Sequence, residues 1–488
     1  LAELSQIAQL GAWLVWILPM LGAVLTPLFA LFGNKARDYG AVLFSLAAAV
    51  FAALMVPDAV AGRTADLQYN WIPSIGFKAG VLVDPISVLL ANVVAWISFL
   101  IMVYSIGYMR GEKGLTRYWF FMNFFIGNML LLVMSDNLLQ LMFGWEGVGL
   151  CSYALIGFYY DDNPDRWVGS PGHVAAGVPM SYSPSHAGMK AFVMTRIGDI
   201  GLLISIFLIY SYAGTLNYLE LTVRLDWAGD LARAGLLLPA AVLFFVGPIG
   251  KSAQLPLHEW LPDAMAGPTA VSALIHAATM VKAGVFLIVR AGPIFYAALL
   301  EFGGVTVFFE VIAWTGALTA FIAASQAVVA KEIKKVLAYS TLSQIGYMML
   351  AVGAGGLAAQ FVVGSVAGLF HLVSHAIFKA AMFLAAGAVI HACESRFMDD
   401  MGGLKGSMPL TFLAMMLAMF SLMGVPPFSG FWSKDAVLAA TFESGQLALF
   451  ALGLVTIILT AWYGIRLLGM VFLGNKSANL RHHEERHG

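Results

Sequence analysis

Charged side chains are scarce in this chain. Lys and Arg number 26 and Asp and Glu 27, together only 11% of 488 residues, with a formal net charge of −1. A soluble domain carries about twice that share of charge, so there is too little here to coat a water-facing surface. The even balance also leaves no basic face for nucleic acid, and none is expected as a partner. Cysteine is nearly absent. Cys151 and Cys393 stand apart in or beside apolar segments, which excludes a disulfide framework, an iron–sulfur cluster and a cysteine-based metal centre. There is no P-loop and no glycine-rich dinucleotide turn after a strand, so no cofactor is expected. The first apolar run follows Glu3 without a basic leader or an A-x-A exit, and no cleavable signal peptide is expected. Strand-like alternation of apolar and polar residues is missing as well.

What remains is apolar. Hydrophobic residues make up 60% of the chain, and the mean hydropathy is +0.84. Backbone groups in lipid must be satisfied internally, which allows helices or closed barrels. Without alternation, helices are the answer, and the expected fold class is all-α, a polytopic transmembrane helix bundle of 13 to 14 spans. Thirteen can be placed, at 11–32, 40–61, 81–108, 117–134, 138–158, 187–212, 234–263, 268–290, 305–330, 336–355, 358–392, 408–445 and 447–472. Two of these are too long and too broken to be straight helices. The first contains Gly247-Pro248-Ile249-Gly250 and the second Gly424-Val425-Pro426-Pro427-Phe428-Ser429-Gly430. Proline removes an amide donor and clashes with the preceding turn, so each is expected to be two half-helices around an unwound middle.

The connecting segments sort by charge. Lys35, Arg37, Arg110, Lys113, Arg117, Arg166, Lys190, Lys331, Lys334, Lys335, Arg396, Lys405, Lys476, Arg481 and Arg486 fall on one side; Arg63, Lys78, Arg224, Arg233 and Arg290 fall on the other. Fifteen against five puts the C-terminus inside and the N-terminus outside. The segment Asp161–Ser185, with Pro164, Trp167, Pro171, Pro179 and Pro184, reads as an ordered loop on the inner face. The two broken spans recur at equivalent places in two five-helix blocks, roughly 117–290 and 305–472. Five is odd, so the second block is inverted relative to the first. Inverted repeats with discontinuous helices at matching positions point to an ion path. The expected division is 1–116, N-terminal helices; 117–292 and 293–475, the two repeats; and 476–488, a polar tail that stops before a lateral helix.

Several ionisable residues stand inside the spans: Glu146, Arg196, Asp199, Lys251, His276, Lys282, His371, His375, Lys379, Lys434, Asp435 and Arg466. Each charge near the bilayer centre costs about 2.5–3.5 kcal/mol on the insertion scale, and such residues by default mark a path for protons or another small cation. Arg196 and Arg466 lie near span ends, where they can snorkel. Arg196 and Asp199 are three apart, a spacing that also fits a local helical ion pair. His371, His375 and Lys379 are four apart in succession, so they form one stripe about 12 Å long. HLVSH lacks the glutamate of a zinc-binding HExxH helix and has no third ligand nearby, so no metal is expected. Lys251 and Lys434 sit at the two breaks, where unwound carbonyls can solvate an ammonium. Glu146, flanked by Gly147 and Gly149, is the candidate acid of the first block, because small residues let another helix approach closely. His276 and Lys282 are six apart, about 120° around a continuous helix, and so would not face one partner.

These segments resemble a known family. Gly144-Trp145-Glu146-Gly147-Val148-Gly149-Leu150-Cys151-Ser152-Tyr153 is similar to the fifth-helix motif of the large antiporter-like, L-type subunit of the respiratory complex I family. KSAQLPLHEWLPDAMAGPTAVSALIHAATM from Lys251, KKVLAYSTLSQIGYM from Lys334, HLVSHAIFKA from His371 and FSGFWSKD from Phe428 resemble it too, and together they cover most of 80–473. The resemblance implies proton transfer along a central polar axis. Glu146 would be the coupling carboxylate and Lys251 its partner. His276, Lys282, His371, His375 and Lys379 would relay protons, and Lys434 with Asp435 would form the exit. It implies membership of a redox-driven proton translocase of the NADH:quinone, F420H2 or ferredoxin-oxidising type, with no redox chemistry in this chain itself. Partners would be other membrane-arm subunits, including further antiporter-like ones, together with membrane lipid; the setting would be a prokaryotic plasma membrane. Lys282 stands where many L-type subunits carry Thr and where multisubunit sodium/proton antiporters resemble this chain. The alternative is therefore an antiporter subunit without redox input, moving sodium as well as protons.

Overall fold

Lipid supplies no hydrogen bonds, so each amide of a spanning segment pairs within its own helix. The computed structural model describes residues 4–75, 77–175, 178–478 and 480, and only the backbone of 75, 170–173, 175, 178 and 179. Arg481 and Arg486, counted above on the inner side, lie outside the described residues, as do the side chains of Pro171 and Pro179. Eleven described helices are long and apolar enough to cross a membrane. The expected spans that lack such a helix are 234–263 and 408–445, the two read as broken.

Both are broken. The Pro409–Met423 helix ends at Gly424, whose φ of 81° lets the chain turn out of the helix, and Ser429–Glu443 resumes beyond it. The first break lies a few residues later than the sequence suggested. The Leu237–Lys251 helix runs straight through Gly247–Gly250, with Pro248 inside it. Close packing holds it there: a Cβ on Gly250 would meet Gly198 Cα at 3.1 Å in the neighbouring Pro184–Ala213 helix. The turn is made instead by Ala253 at φ 50°, which brings the Gln254 N–H onto the Ile249 carbonyl at 2.8 Å. A non-glycine residue in that conformation costs about 1–2 kcal/mol.

A third break was not expected. It divides the span placed at 268–290 into Thr269–Ala277 and Met280–Phe302. The Thr279 hydroxyl and amide both donate to the Leu274 carbonyl, at 2.8 and 3.2 Å. The interruption lies between His276 and Lys282, so the angle computed for a continuous helix does not hold. The same span runs on past Arg290, which is not in a loop. Arg290 is buried, 2.5 Å from Asp84 through Nη1 and 2.7 Å from Ser87 Oγ through Nη2. It must be removed from the outer charge tally.

The Ile333–Leu357 helix forms the centre. It is among the least apolar of the long helices yet almost wholly buried, whereas Gln6–Leu31, far more apolar, is mostly on the outside. The more polar helix can afford its serines because protein, not lipid, surrounds it. Gly316 and Gly346 let it approach the Val305–Val329 helix backbone to backbone: a Cβ on either would lie 2.5–2.6 Å from the other's carbonyl oxygen.

Two β-hairpins stand outside the spans, where none was expected. The second, Val168–Ala175 with Val178–Tyr182, replaces the loop read at 161–185. Its Gly169 N–H donates to Glu332 at 2.9 Å, and Glu332 pairs with Arg396 at 3.2 Å. The first, Ala65–Ile72 with Phe77–Val83, is clamped by Gln140, which exchanges two hydrogen bonds with Gly80 at 2.8 and 2.9 Å.

That first hairpin also holds a carboxylate pair. Asn217 Nδ2 donates to Asp66 Oδ2 at 2.9 Å and to Asp136 Oδ2 at 3.0 Å, and Gln68 Nε2 donates to the same two oxygens at 2.7 and 3.1 Å. Burial, then the charge of Asp66, pushes the Asp136 carboxyl up to about 7 from its ordinary 3.8. The folded chain therefore keeps this proton to higher pH than an unfolded one. The resulting stability is full below about pH 4 and is lost as pH rises through about 7. Amide exchange across 65–83, corrected for its intrinsic rate, should accelerate between about pH 6 and 8 and lose that dependence in Asp136→Asn. A flat profile in the native chain would contradict the raised Asp136 carboxyl.

Candidate proton path

Two clusters meet near the molecular centre. In the first, Lys251 ends the Leu237–Lys251 helix, and its Nζ lies 3.4 Å from Asp199 Oδ2 with both side chains 1% exposed. Asp199 Oδ1 accepts from Trp145 Nε1 at 2.5 Å. Gly149 makes the room: a Cβ there would fall 2.5 Å from the Lys251 ammonium. The partner of Glu146 is Arg196, at 2.5 Å, with side chains 29% and 40% exposed. So Arg196 and Asp199 do not form the local pair their spacing allowed, and Lys251 meets Asp199 rather than Glu146. The four groups make two cross-helix pairs side by side. Burying an unpaired charge costs several kcal/mol, which holds Lys251 on Asp199 when both are ionised.

The link to the second cluster is short. Ser252, next to Lys251, donates to the Val281 carbonyl at 2.8 Å, and Val281 adjoins Lys282. Lys282 Nζ meets His375 Nδ1, joining the Met280–Phe302 helix to Phe361–Cys393. One turn on, His371 Nε2 lies 3.0 Å from Gln344 Oε1 and its Nδ1 2.9 Å from Ser433 Oγ. The amide oxygen only accepts, so Nε2 carries the hydrogen and Nδ1 accepts from the serine. The His371 and His375 ring centroids are 6.4 Å apart. Lys434 Nζ then donates to the Leu422 carbonyl at 2.6 Å, at the second break. Lys379 Nζ donates to Leu337 O at 2.9 Å and to Ser340 Oγ.

Two expected members stand differently. His276 is fully buried and packed on Phe383 at 4.8 Å between centroids, and neither ring nitrogen has a hydrogen-bond partner among the described residues. Asp435 is exposed, turned away from the buried Lys434 beside it. Sequence reasoning missed Ser340, Gln344 and Tyr347. Tyr347 stands between His371, 6.2 Å between centroids, and Lys434, 5.5 Å from its ring. Their signal was available: 340, 344 and 347 mark one helix face in the least apolar spans of the chain. Among the described residues no three His, Cys, Asp or Glu side chains converge as a metal ion requires.

Comparison with known proteins decides the family. The family profile described as "NADH:quinone oxidoreductase/Mrp antiporter, TM" matches residues 176–460. The one described as "NADH-Ubiquinone oxidoreductase (complex I), chain 5 N-terminus" matches 71–119. The chain belongs to the NADH:quinone oxidoreductase/Mrp antiporter family. Among members of this family, NADH-quinone oxidoreductase subunit L of Escherichia coli is 41% identical over 472 residues, spanning 94% of this chain and 71% of its own. NAD(P)H-quinone oxidoreductase chain 5 of Synechocystis sp. is 39% identical over 492 residues, spanning 96% and 67%. A chain of the Mrp complex from Dietzia sp. superposes with a TM-score of 0.79 at 28% identity, over 96% of this chain and 48% of that one. A chain of the archaeal membrane-bound sulfane sulfur reductase shares the fold, with a TM-score of 0.81 at 24% identity over 96% and 71%.

Proposed function

We propose that this chain is a proton-translocating membrane-arm subunit of a complex I-type redox-driven pump. The observation that carries the reading is the row Lys251–Lys282–His375–His371–Lys434, with Lys379 one turn beyond His375 on the same stripe, buried across three helix breaks and bearing no catalytic nucleophile. Electron transfer would occur in partner subunits and supply energy as a shift in the first cluster. If Glu146 or Asp199 changes partner, Lys251 loses its counter-charge and passes its proton toward Lys282. The next ammonium then repels the one beyond it, at a strength set by the low local dielectric. Imidazole suits the intervening steps, since it takes a proton on one nitrogen and releases it from the other.

Two observations favour this over a sodium/proton antiporter without redox input. The Escherichia coli and Synechocystis relatives, 41 and 39% identical, are named as quinone oxidoreductase subunits. From Lys282 to Lys434 the hydrogen-bond partners are serine, glutamine, carbonyl and imidazole groups. Lysine and histidine can bind and release a proton along that stretch, and none of these partners is a carboxylate that would coordinate sodium. NADH, F420H2 and ferredoxin remain the candidate donors for the parent complex. The proposed setting is a prokaryotic plasma membrane, N-terminus outside, beside further antiporter-like subunits. The test is donor-driven proton uptake by inverted membrane vesicles carrying Lys405→Cys, an exposed position in a connection read as inner. Uptake should persist without sodium, with the cysteine reacting from the inner side. Strict sodium dependence would overturn the pump, and labelling from the outer side the orientation.

A further inference from the structure

A second basic site lies away from the proton path, where the Pro85–Tyr108 helix ends and Leu115–Met134 begins. A cavity of about 810 Å³ opens there, lined by Lys113, Thr116, Arg117, Tyr159, Tyr160 and Arg166. Its floor is a helix N-terminus. Gly114, in the left-handed conformation at φ 76°, occupies the cap position, and no side chain caps it. The first-turn amides thus carry a partial positive charge with nothing to accept from them.

The cationic side chains are held in place but incompletely used. Arg117 Nη2 donates to the Phe158 carbonyl at 2.6 Å, and its guanidinium lies 4.4 Å from the Tyr160 ring centroid. Its Nε is buried without a hydrogen-bond partner. Arg166 stacks on Tyr159 at 3.6 Å and reaches both oxygens of Glu112 at 3.4 Å. Tyr159 also donates to Glu112, at 3.2 Å, so that carboxylate is spent within the wall. Asp161 is the other acid of the lining. The balance is three cations to two carboxylates, plus the helix end.

We propose that this cavity binds the phosphate of an anionic phospholipid headgroup. A phosphodiester supplies the acceptor oxygens that the Lys113 ammonium, the Thr116 hydroxyl and the first-turn amides lack, beside the Arg117 guanidinium that lines the cavity. A lipid is favoured over free phosphate by position. The cavity sits at the ends of membrane spans, and Tyr160, 67% exposed, stands at its rim as tyrosines do at headgroup depth. Basic pockets between helices on the cytoplasmic side take such headgroups. The inference is independent of the proton path.

The test uses the purified parent complex in phosphatidylcholine nanodiscs containing a photoactivatable phosphatidylglycerol, with cross-linked peptides covering 111–117 and 158–166 read by mass spectrometry. Cross-linking should be strong in the native complex. Each cation near a membrane surface is worth about fivefold in affinity, so Lys113→Glu, a change of two charges at an exposed position, should weaken labelling on the order of 20-fold. Arg117→Lys, which keeps the charge but loses the planar guanidinium, should weaken it less. Labelling unchanged in Lys113→Glu would overturn the site. Equal labelling by a phosphatidylcholine probe, or loss of labelling to millimolar inorganic phosphate, would overturn the lipid assignment.

Discussion

Replacing Lys251 with alanine is expected to reduce proton transport by the parent complex about 100-fold or more, with assembly largely retained. A positioned proton donor contributes at least that factor when its chemistry depends on it, and no neighbouring group can substitute. Lys251 is 1% exposed, held at 3.4 Å by Asp199, in space that Gly149 leaves open. Glu146→Ala should collapse transport in the same way, for a different reason. It frees Arg196, 2.5 Å from Glu146 in the native chain, to compete for Asp199 and lock it away from Lys251. The two effects separate in Glu146→Ala/Arg196→Ala, where the competing cation is gone and part of the transport should return. Proton uptake in liposomes, beside a gel assay of assembly, reads both. Native uptake in Lys251→Ala or Glu146→Ala would remove that residue from the path.

The second large effect concerns the histidines. Glutamine keeps the size and some hydrogen bonding of imidazole but cannot titrate. His375→Gln should slow pumping without unfolding the Phe361–Cys393 helix, and His371→Gln/His375→Gln should slow it further, by about 100-fold in all. The geometry says why both count. The two rings are 6.4 Å apart between centroids, and both His371 nitrogens are engaged by Gln344 and Ser433 rather than by His375, so a water is the expected carrier of the proton between them. His375 receives from Lys282, while His371 is tied to Gln344 and Ser433. Were the rings only structural, glutamine would preserve those ties and the double variant would pump at the native rate across about pH 6 to 8.

Most of the bundle was legible because lipid leaves few options. Long apolar runs become helices, and glycine and proline mark where they fail. The Gly424–Gly430 break falls where it was read for that reason. Helix-on-helix packing was not legible. Pro248 stays helical because Gly250 lies against Gly198, and no local pattern announces that contact. The break at Thr279 has no proline or glycine at all and depends on the Leu274 carbonyl accepting from both the amide and the hydroxyl of Thr279. In the site, the residues were visible one by one as charges in apolar surroundings. Their pairing was not. Spacing suggested Arg196 with Asp199 and motif suggested Glu146 with Lys251, while the fold crosses both pairs between helices. Polar residues of ordinary type, such as Gln344 and Tyr347, escaped notice because they do not titrate near neutrality.

The central claim is that one buried row carries the protons. The most direct test is the number of protons moved per electron by the complete complex in liposomes when Lys379 is replaced by methionine. Lys379 is fully buried, on the stripe with both histidines, and donates to Leu337 O at 2.9 Å. Methionine fills its volume without a charge. The row predicts a lower proton-to-electron ratio at an electron-transfer rate that recovers when the gradient is collapsed. An unchanged ratio in an assembled Lys379→Met complex would contradict it.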